Sequence, residues 1–204
     1  MSLESITNVL VVGVGGQGVV LASNILCEIA ARAGFDVKKS EIHGMSQRGG
    51  VVTSHVRFGP KVYGSLIASQ QTDALLGFEA AESLRFAHEV KPGGAMFAST
   101  QKIKPPTGGG LKAAKYPEDA LEQAAKICKG TLVPVEAHKI AVELGNARLS
   151  NTILLGALST SLDIDQDIWV ETIKKMVPPK TIELNVQAFE RGRQVVADFD
   201  VAVK

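Results

Sequence analysis

The sequence predicts an α/β fold: a Rossmann-like, mostly parallel sheet flanked by helices, with a helical C-terminal part. Three observations carry this. An apolar, β-branched run at residues 9–12 passes straight into Gly13-Val14-Gly15-Gly16-Gln17-Gly18 and then into a helically periodic stretch at 19–33, the succession of a buried strand, a tight turn and a helix. Short apolar strands then alternate with helix patterns as far as residue 136, as crossovers between parallel strands require. From residue 137 onward every periodic segment has helical spacing.

Composition narrows the class. The 204 residues are 45% hydrophobic, 21% charged and only 5% aromatic, the profile of a globular chain with an aliphatic core. We expect one domain over 1–204, with an α/β core at 1–136 and a helical part at 137–204. A chain of this size buries about 70% of its unfolded surface without metal or disulfide support. A net charge of +1 argues against a broad nucleic-acid footprint. Cys27 and Cys128 lie inside helix patterns with no C-x-x-C partner or nearby His, and read as small core residues. No basic, apolar leader and no apolar run of about 18 residues occurs, so neither a signal nor a membrane span is expected, and a cytoplasmic location follows.

The elements follow in order. Gly13, Gly15 and Gly18 fit G-x-G-x-x-G, in which one glycine permits the turn, one lets backbone approach a ligand and one allows helix to pack on strand. Amides at the start of the helix then suit an anion. This spacing is specific for strand-turn-helix and weak for any one ligand. Gly34 ends the helix, and residues 35–41 read as a second strand closing a β-α-β unit. The polar loop from His43 to Gly50 leaves the carboxyl end of that strand, beside the glycine turn, where open α/β sheets bind ligands. Residues 51–58 alternate as a half-buried strand; Gly59-Pro60-Lys61 breaks it, and 62–67 can return as a hairpin or an extension. Then come a strand at 73–78, a helix at 79–90 stopped by Lys91-Pro92-Gly93-Gly94, a strand at 95–99, an exposed loop at 102–116, a helix at 117–128 and a strand at 131–135. Helices at 137–144, 150–161, 166–177 and 181–198 complete the chain, the last with Thr181 as N-cap after Pro178-Pro179.

Four groups of residues carry a family resemblance: Val11-Val12-Gly13-Val14-Gly15-Gly16-Gln17-Gly18; Glu41-Ile42-His43-Gly44-Met45-Ser46-Gln47-Arg48-Gly49-Gly50; Asn151 with Leu155-Gly156; and Asn185 with Ala188-Phe189 and Gly192. In this order and spacing the chain resembles the gamma-type subunits of 2-oxoacid:ferredoxin oxidoreductases, the loop being most similar to the indolepyruvate ferredoxin oxidoreductase beta subunit. The resemblance implies a holoenzyme that oxidatively decarboxylates a 2-oxoacid to an acyl-CoA, with thiamine diphosphate, coenzyme A and iron–sulfur clusters, passing electrons to ferredoxin. Two cysteines cannot supply the four thiolates of one cluster, and no Gly-Asp-Gly thiamine signature occurs. The resemblance therefore implies a chain with no catalytic residue, metal or tightly bound cofactor of its own. Its larger partner subunit would carry the thiamine diphosphate and the iron–sulfur clusters, with coenzyme A as co-substrate and ferredoxin reached through the holoenzyme; neither nucleic acid nor membrane is a partner.

The candidate anion- or coenzyme A-binding, or partner-docking, residues are Gly13, Gly15, Gly16, Gln17, Gly18, His43, Ser46, Gln47 and Arg48. Arg48 can offer a bidentate fork to phosphate or carboxylate, Ser46 and Gln47 hydrogen bonds, and His43 a group titrating near neutrality. The same loop can instead dock on the partner, with Arg48 in an intersubunit ion pair. His55 on the polar face of a strand, His88 near a helix end and His138 at a helix start share no ligand spacing. Trp169 reads as a helix anchor, and Asn151 and Asn185 as bonding backbone at helix starts. The alternative is a free-standing NAD- or nucleotide-binding protein or sensor, since Glu41 lies 41 − 18 = 23 residues past the last glycine, near the distance of about 20 at which an acid meets a ribose hydroxyl.

Overall fold

The computed structural model describes residues 5–44, 50–104 and 115–203. Its strands are β1 (Thr7–Val14), β2 (Asp36–His43), β3 (Val51–Gly59), β4 (Thr72–Gly77), β5 (Val90–Ser99) and β6 (Thr131–Val135). The helices are α1 (Val19–Arg32), α2 (Ala80–Phe86), α3 (Ala120–Ile127), α4 (Ala137–Glu143), α5 (Ser150–Ser159), α6 (Gln166–Met176) and α7 (Ile182–Val203). The six strands form one sheet in the order β2-β3-β1-β4-β5-β6. β1, β4, β5 and β6 are parallel, whereas β3 runs antiparallel to both β1 and β2.

β1 shows why the sheet is covered on both faces. Its residues alternate between two clusters: Val9 and Val11 pack with α1, α5, α6 and α7, while Leu10 and Val12 pack toward Leu84, Leu121 and Ala124 of α2 and α3. A run apolar on both faces is what a strand buried between two helical layers needs. Residues from both the α/β part and the helical part join the first cluster, with Trp169 fully buried and stacked on Phe189 at 5.8 Å. Trp169 is thus a helix anchor, as expected.

α5 and α7 meet at unusually close range. A Cβ at Gly156 would lie 2.0 Å from the Phe189 carbonyl oxygen, and one at Gly192 would lie 1.9 Å from that of Ile153. The seam continues in hydrogen bonds. The Thr152 hydroxyl donates to Asn185 Oδ1 (2.7 Å), the Thr152 amide donates to Asn151 Oδ1 (2.8 Å), and Asn185 Nδ2 donates to the Thr181 carbonyl (2.9 Å). Asn151 and Asn185 bond backbone as expected, and Asn185 also joins the two helices.

Three sequence expectations need correction. β1 and β2 are not neighbours, because β3 is inserted between them with eight residue pairs to each side; the hairpin is therefore β2 with β3. Residues 62–67 form no strand, since their polar groups are taken by side chains: Arg57 Nη1 bonds the carbonyls of Gly64 (2.8 Å) and Leu66 (3.2 Å), and Asp36 Oδ2 accepts from the Val62 amide (2.9 Å). Thr181 is not a simple N-cap: it closes a 3₁₀ turn before α7, its hydroxyl donating to the Pro178 carbonyl.

Two outcomes follow from this packing. Gly192→Ala should destabilise the chain by at least ~2 kcal/mol, because backbone rather than a flexible side chain must yield; an unchanged denaturation midpoint would remove the close approach from the account. His55 is half-buried, its Nδ1 accepting from the Ile67 amide (3.3 Å), and burial pushes its pKa below the ordinary 6.5 against the opposing charge of Glu89. The unfolded chain then takes up the proton first, so stability falls as pH drops through 6.5 and levels off below the lowered folded value. His55→Gln should flatten that part of the profile of urea midpoint against pH, and an unaltered slope would place the effect elsewhere.

Candidate functional site

The carboxyl ends of β1, β2, β4, β5 and β6 share one edge of the sheet, and β3 starts there. At β1 the neighbours change character: the hairpin partner β3 lies on one side and the parallel β4 on the other. Such an edge, at such a change of direction, is where open α/β sheets leave a crevice.

The glycine turn is held shut by one side chain. Gln17 Oε1 accepts from the Val14 amide (2.8 Å), while Gln17 Nε2 donates to the Phe78 carbonyl (2.8 Å) and to Gln101 Oε1 (3.0 Å). The Gln17 amide thereby joins the ends of β1 and β4 to the segment after β5. The Gly15 amide donates to the Gly50 carbonyl (2.9 Å), so the turn is also tied to the β2–β3 connection. The glycines divide their work differently from the G-x-G-x-x-G reading. Gly13 is the packing glycine, since a Cβ there would lie 2.7 Å from Phe78 Cβ and 2.9 Å from Val19 Cγ2. Positive φ falls on Gly16 (100°) and Gly18 (83°), where L side chains are strained.

Two hollows open on either side of this turn. The larger, about 530 Å³, lies between the turn and the start of α5, with Gln101 and Ile103 contributing from beyond β5 and His138 and Arg148 from the helical part. Its described lining includes two basic side chains and no carboxylate. Arg148 has no side-chain ion pair or hydrogen bond among the described residues, which leaves its fork of donors open to an anion. Asn151 closes the floor, its Nδ2 being 3.3 Å from where a Cβ of Gly18 would stand. The smaller hollow, about 380 Å³, lies between Gly15, Gly16 and the residues His43, Gly44 and Gly50.

The candidate residues Gly13, Gly15, Gly16, Gln17 and Gly18 thus meet at one edge, with His43 across the smaller hollow. Ser46, Gln47 and Arg48 lie outside the described residues. His138, Arg148, Gln101 and Asn151 were not singled out as cleft residues by the sequence reading. Their common signal was positional only: each follows a strand's carboxyl end or opens a helix.

The cysteines do not fit a cluster. Burial pushes the thiol of Cys27 up to about 11, with Lys39 opposing, and it also raises that of Cys128; ligation needs the thiolate. Among the described residues no group of three His, Cys, Asp or Glu side chains is placed to hold a metal ion. No helix among them is long and apolar enough to cross a membrane. The dinucleotide reading loses its acid. Glu41 pairs with Lys39 on the edge strand, and the inserted β3 sets it two strand spacings, roughly 10 Å, from β1.

Residues 8–195 match the pyruvate ferredoxin/flavodoxin oxidoreductase family. The chain is 40% identical over 191 residues to the indolepyruvate oxidoreductase subunit IorB of Thermococcus kodakarensis, covering 91% of this chain and 93% of that one. The fold matches the keto/oxoacid ferredoxin oxidoreductase gamma subunit of Geobacter sulfurreducens, with TM-score 0.70 and 22% identity over 94% of this chain and 99% of that one. It also matches 32% of a chain of the 2-oxoglutarate:ferredoxin oxidoreductase of Magnetococcus marinus, solved with 2-oxoglutarate, coenzyme A and succinyl-CoA bound, at TM-score 0.71 and 22% identity over 96% of this chain. The chain belongs to the pyruvate ferredoxin/flavodoxin oxidoreductase family, among the small gamma-type subunits of 2-oxoacid:ferredoxin oxidoreductases.

Proposed function

We propose that this chain is the small subunit of an oxidoreductase that converts indolepyruvate or a related aryl pyruvate, coenzyme A and oxidised ferredoxin into the acyl-CoA, carbon dioxide and reduced ferredoxin. The observation that carries the substrate class is the 40% identity to an indolepyruvate oxidoreductase subunit over nearly the full length of both chains. Thiamine diphosphate and the iron–sulfur clusters belong to the larger partner, which fits two half-buried thiols here whose pKa values burial raises. This chain contributes no reacting group. It supplies a surface at the carboxyl edge of its sheet.

Within that surface the two hollows take different tasks. The larger, with Arg148 and His138 and no carboxylate among its described lining residues, suits a phosphate of coenzyme A. The smaller, with His43, docks the partner, and we assign the same task to the sequence stretch Ser46, Gln47 and Arg48.

Arg148→Ala should raise the KM for coenzyme A in the assembled enzyme by roughly 10-fold, the cost of one charge-assisted hydrogen bond. Saturation at unchanged coenzyme A concentration would take Arg148 out of the site. Arg48→Ala should leave the isolated chain folded and weaken its capture by the larger subunit in sedimentation. Normal assembly with normal kinetics would remove the loop from the interface.

A further inference from the structure

Glu79 is 1% exposed and has no ion pair among the described residues. Its carboxyl oxygens accept from three donors instead: the Glu82 amide on Oε2 (2.9 Å), and the Ile103 amide (3.0 Å) and the Tyr116 hydroxyl on Oε1. Capping α2 needs only the first of these. The other two reach beyond the helix, to the segment that follows β5 and to the chain where it returns at Tyr116.

That segment is one wall of the larger cleft. Ile103 and Gln101 both line it. Gln101 is fixed from the same corner of the fold: its carbonyl accepts from the Ala80 amide (2.9 Å), its amide donates to Ser99 Oγ (3.2 Å), and its side chain meets Gln17 (3.0 Å). A continuous hydrogen-bonded path therefore runs from Tyr116 through Glu79 and the 101–103 segment to the glycine turn. Outside it, Lys102 and Lys104 both pair with Glu118, at 3.2 and 2.7 Å. Those pairs are exposed, and such pairs hold little. The buried bonds of Glu79 are the firmer tie. Tyr116 keeps its role as donor because burial, followed by its bond to Glu79, raises the phenol pKa well above the ordinary range.

We propose that Glu79, with Tyr116 as its hydrogen-bond partner, is a positioning residue: it holds the 101–103 wall where the anionic end of coenzyme A needs it, and so sets the KM for that substrate without touching it. The inference rests on the reading of the larger cleft given above.

Two variants in the assembled enzyme test it. Tyr116→Phe removes one donor, and Glu79→Asp keeps a carboxylate able to cap α2 but too short to reach Ile103 and Tyr116. Each should raise the KM for coenzyme A about 5- to 10-fold while kcat and the KM for the oxoacid stay within about 2-fold. Restoring glutamate in the same background should restore the KM. Should Glu79→Asp fail to fold, Tyr116→Phe decides alone. Assembled, folded variants with an unchanged KM for coenzyme A overturn the proposal, as does an equal loss in every parameter. Arg148→Ala separates the two layers. If it raises the KM for coenzyme A and Tyr116→Phe does not, the positioning role fails alone; if only Tyr116→Phe raises it, positioning stands and the anion contact fails.

Discussion

One primary amide joins what would otherwise be three separate strand ends. Gln17 satisfies the Val14 amide, the Phe78 carbonyl and the side chain of Gln101 at once. Without it, β1 and β4 would leave polar backbone groups facing a partly buried crevice, at about 1–3 kcal/mol for each unsatisfied group. The requirement explains the glycines around it. Gly13 has no room for a side chain because Gln17, Val19 and Phe78 converge there, while Gly16 and Gly18 take the positive φ values that bring Gln17 back over the turn. The turn is therefore filled by its own side chain. A dinucleotide motif of similar spacing keeps the corresponding space for a pyrophosphate.

The second constraint lies in the helical part. Gly156 and Gly192 let α5 and α7 approach backbone to backbone, and Thr152 and Asn185 satisfy each other in the seam. This contact fixes where α5 begins, and α5 begins at the cleft: Asn151 meets Gly18, and Arg148 stands one turn earlier. Helix packing and site geometry are thus coupled through a few small or amide residues.

Much of this was legible in the sequence. Periodicity located the seven helices and six strands of the described residues, because apolar repeats and β-branched runs answer to local burial, but residues 90–94, read as a helix end and a stop, belong to β5, and α2 ends at Phe86. The partner of each strand was less legible. Residues 51–58 alternate as a strand on any side of any neighbour, and only long-range pairing puts them between β1 and β2. Residues 62–67 looked like a strand by composition, but Arg57 and Asp36 claim their backbone groups first. At the site the glycine turn was found and its occupant was missed, since nothing local says that a Gln side chain folds back over its own turn. His138 and Arg148 were invisible as a pair for the same reason: they come from separate turns of the helical part and meet the turn only after α5 docks.

The proposed function sets the carboxyl edge of the sheet, between the glycine turn and the start of α5, against coenzyme A in the assembled enzyme. Hydrogen exchange of the holoenzyme with and without coenzyme A tests it most directly. The account predicts slowed exchange on coenzyme A addition in peptides covering residues 13–21 and 138–151 of this chain, with β2 and α7 unchanged. Protection confined to the larger subunit would contradict it.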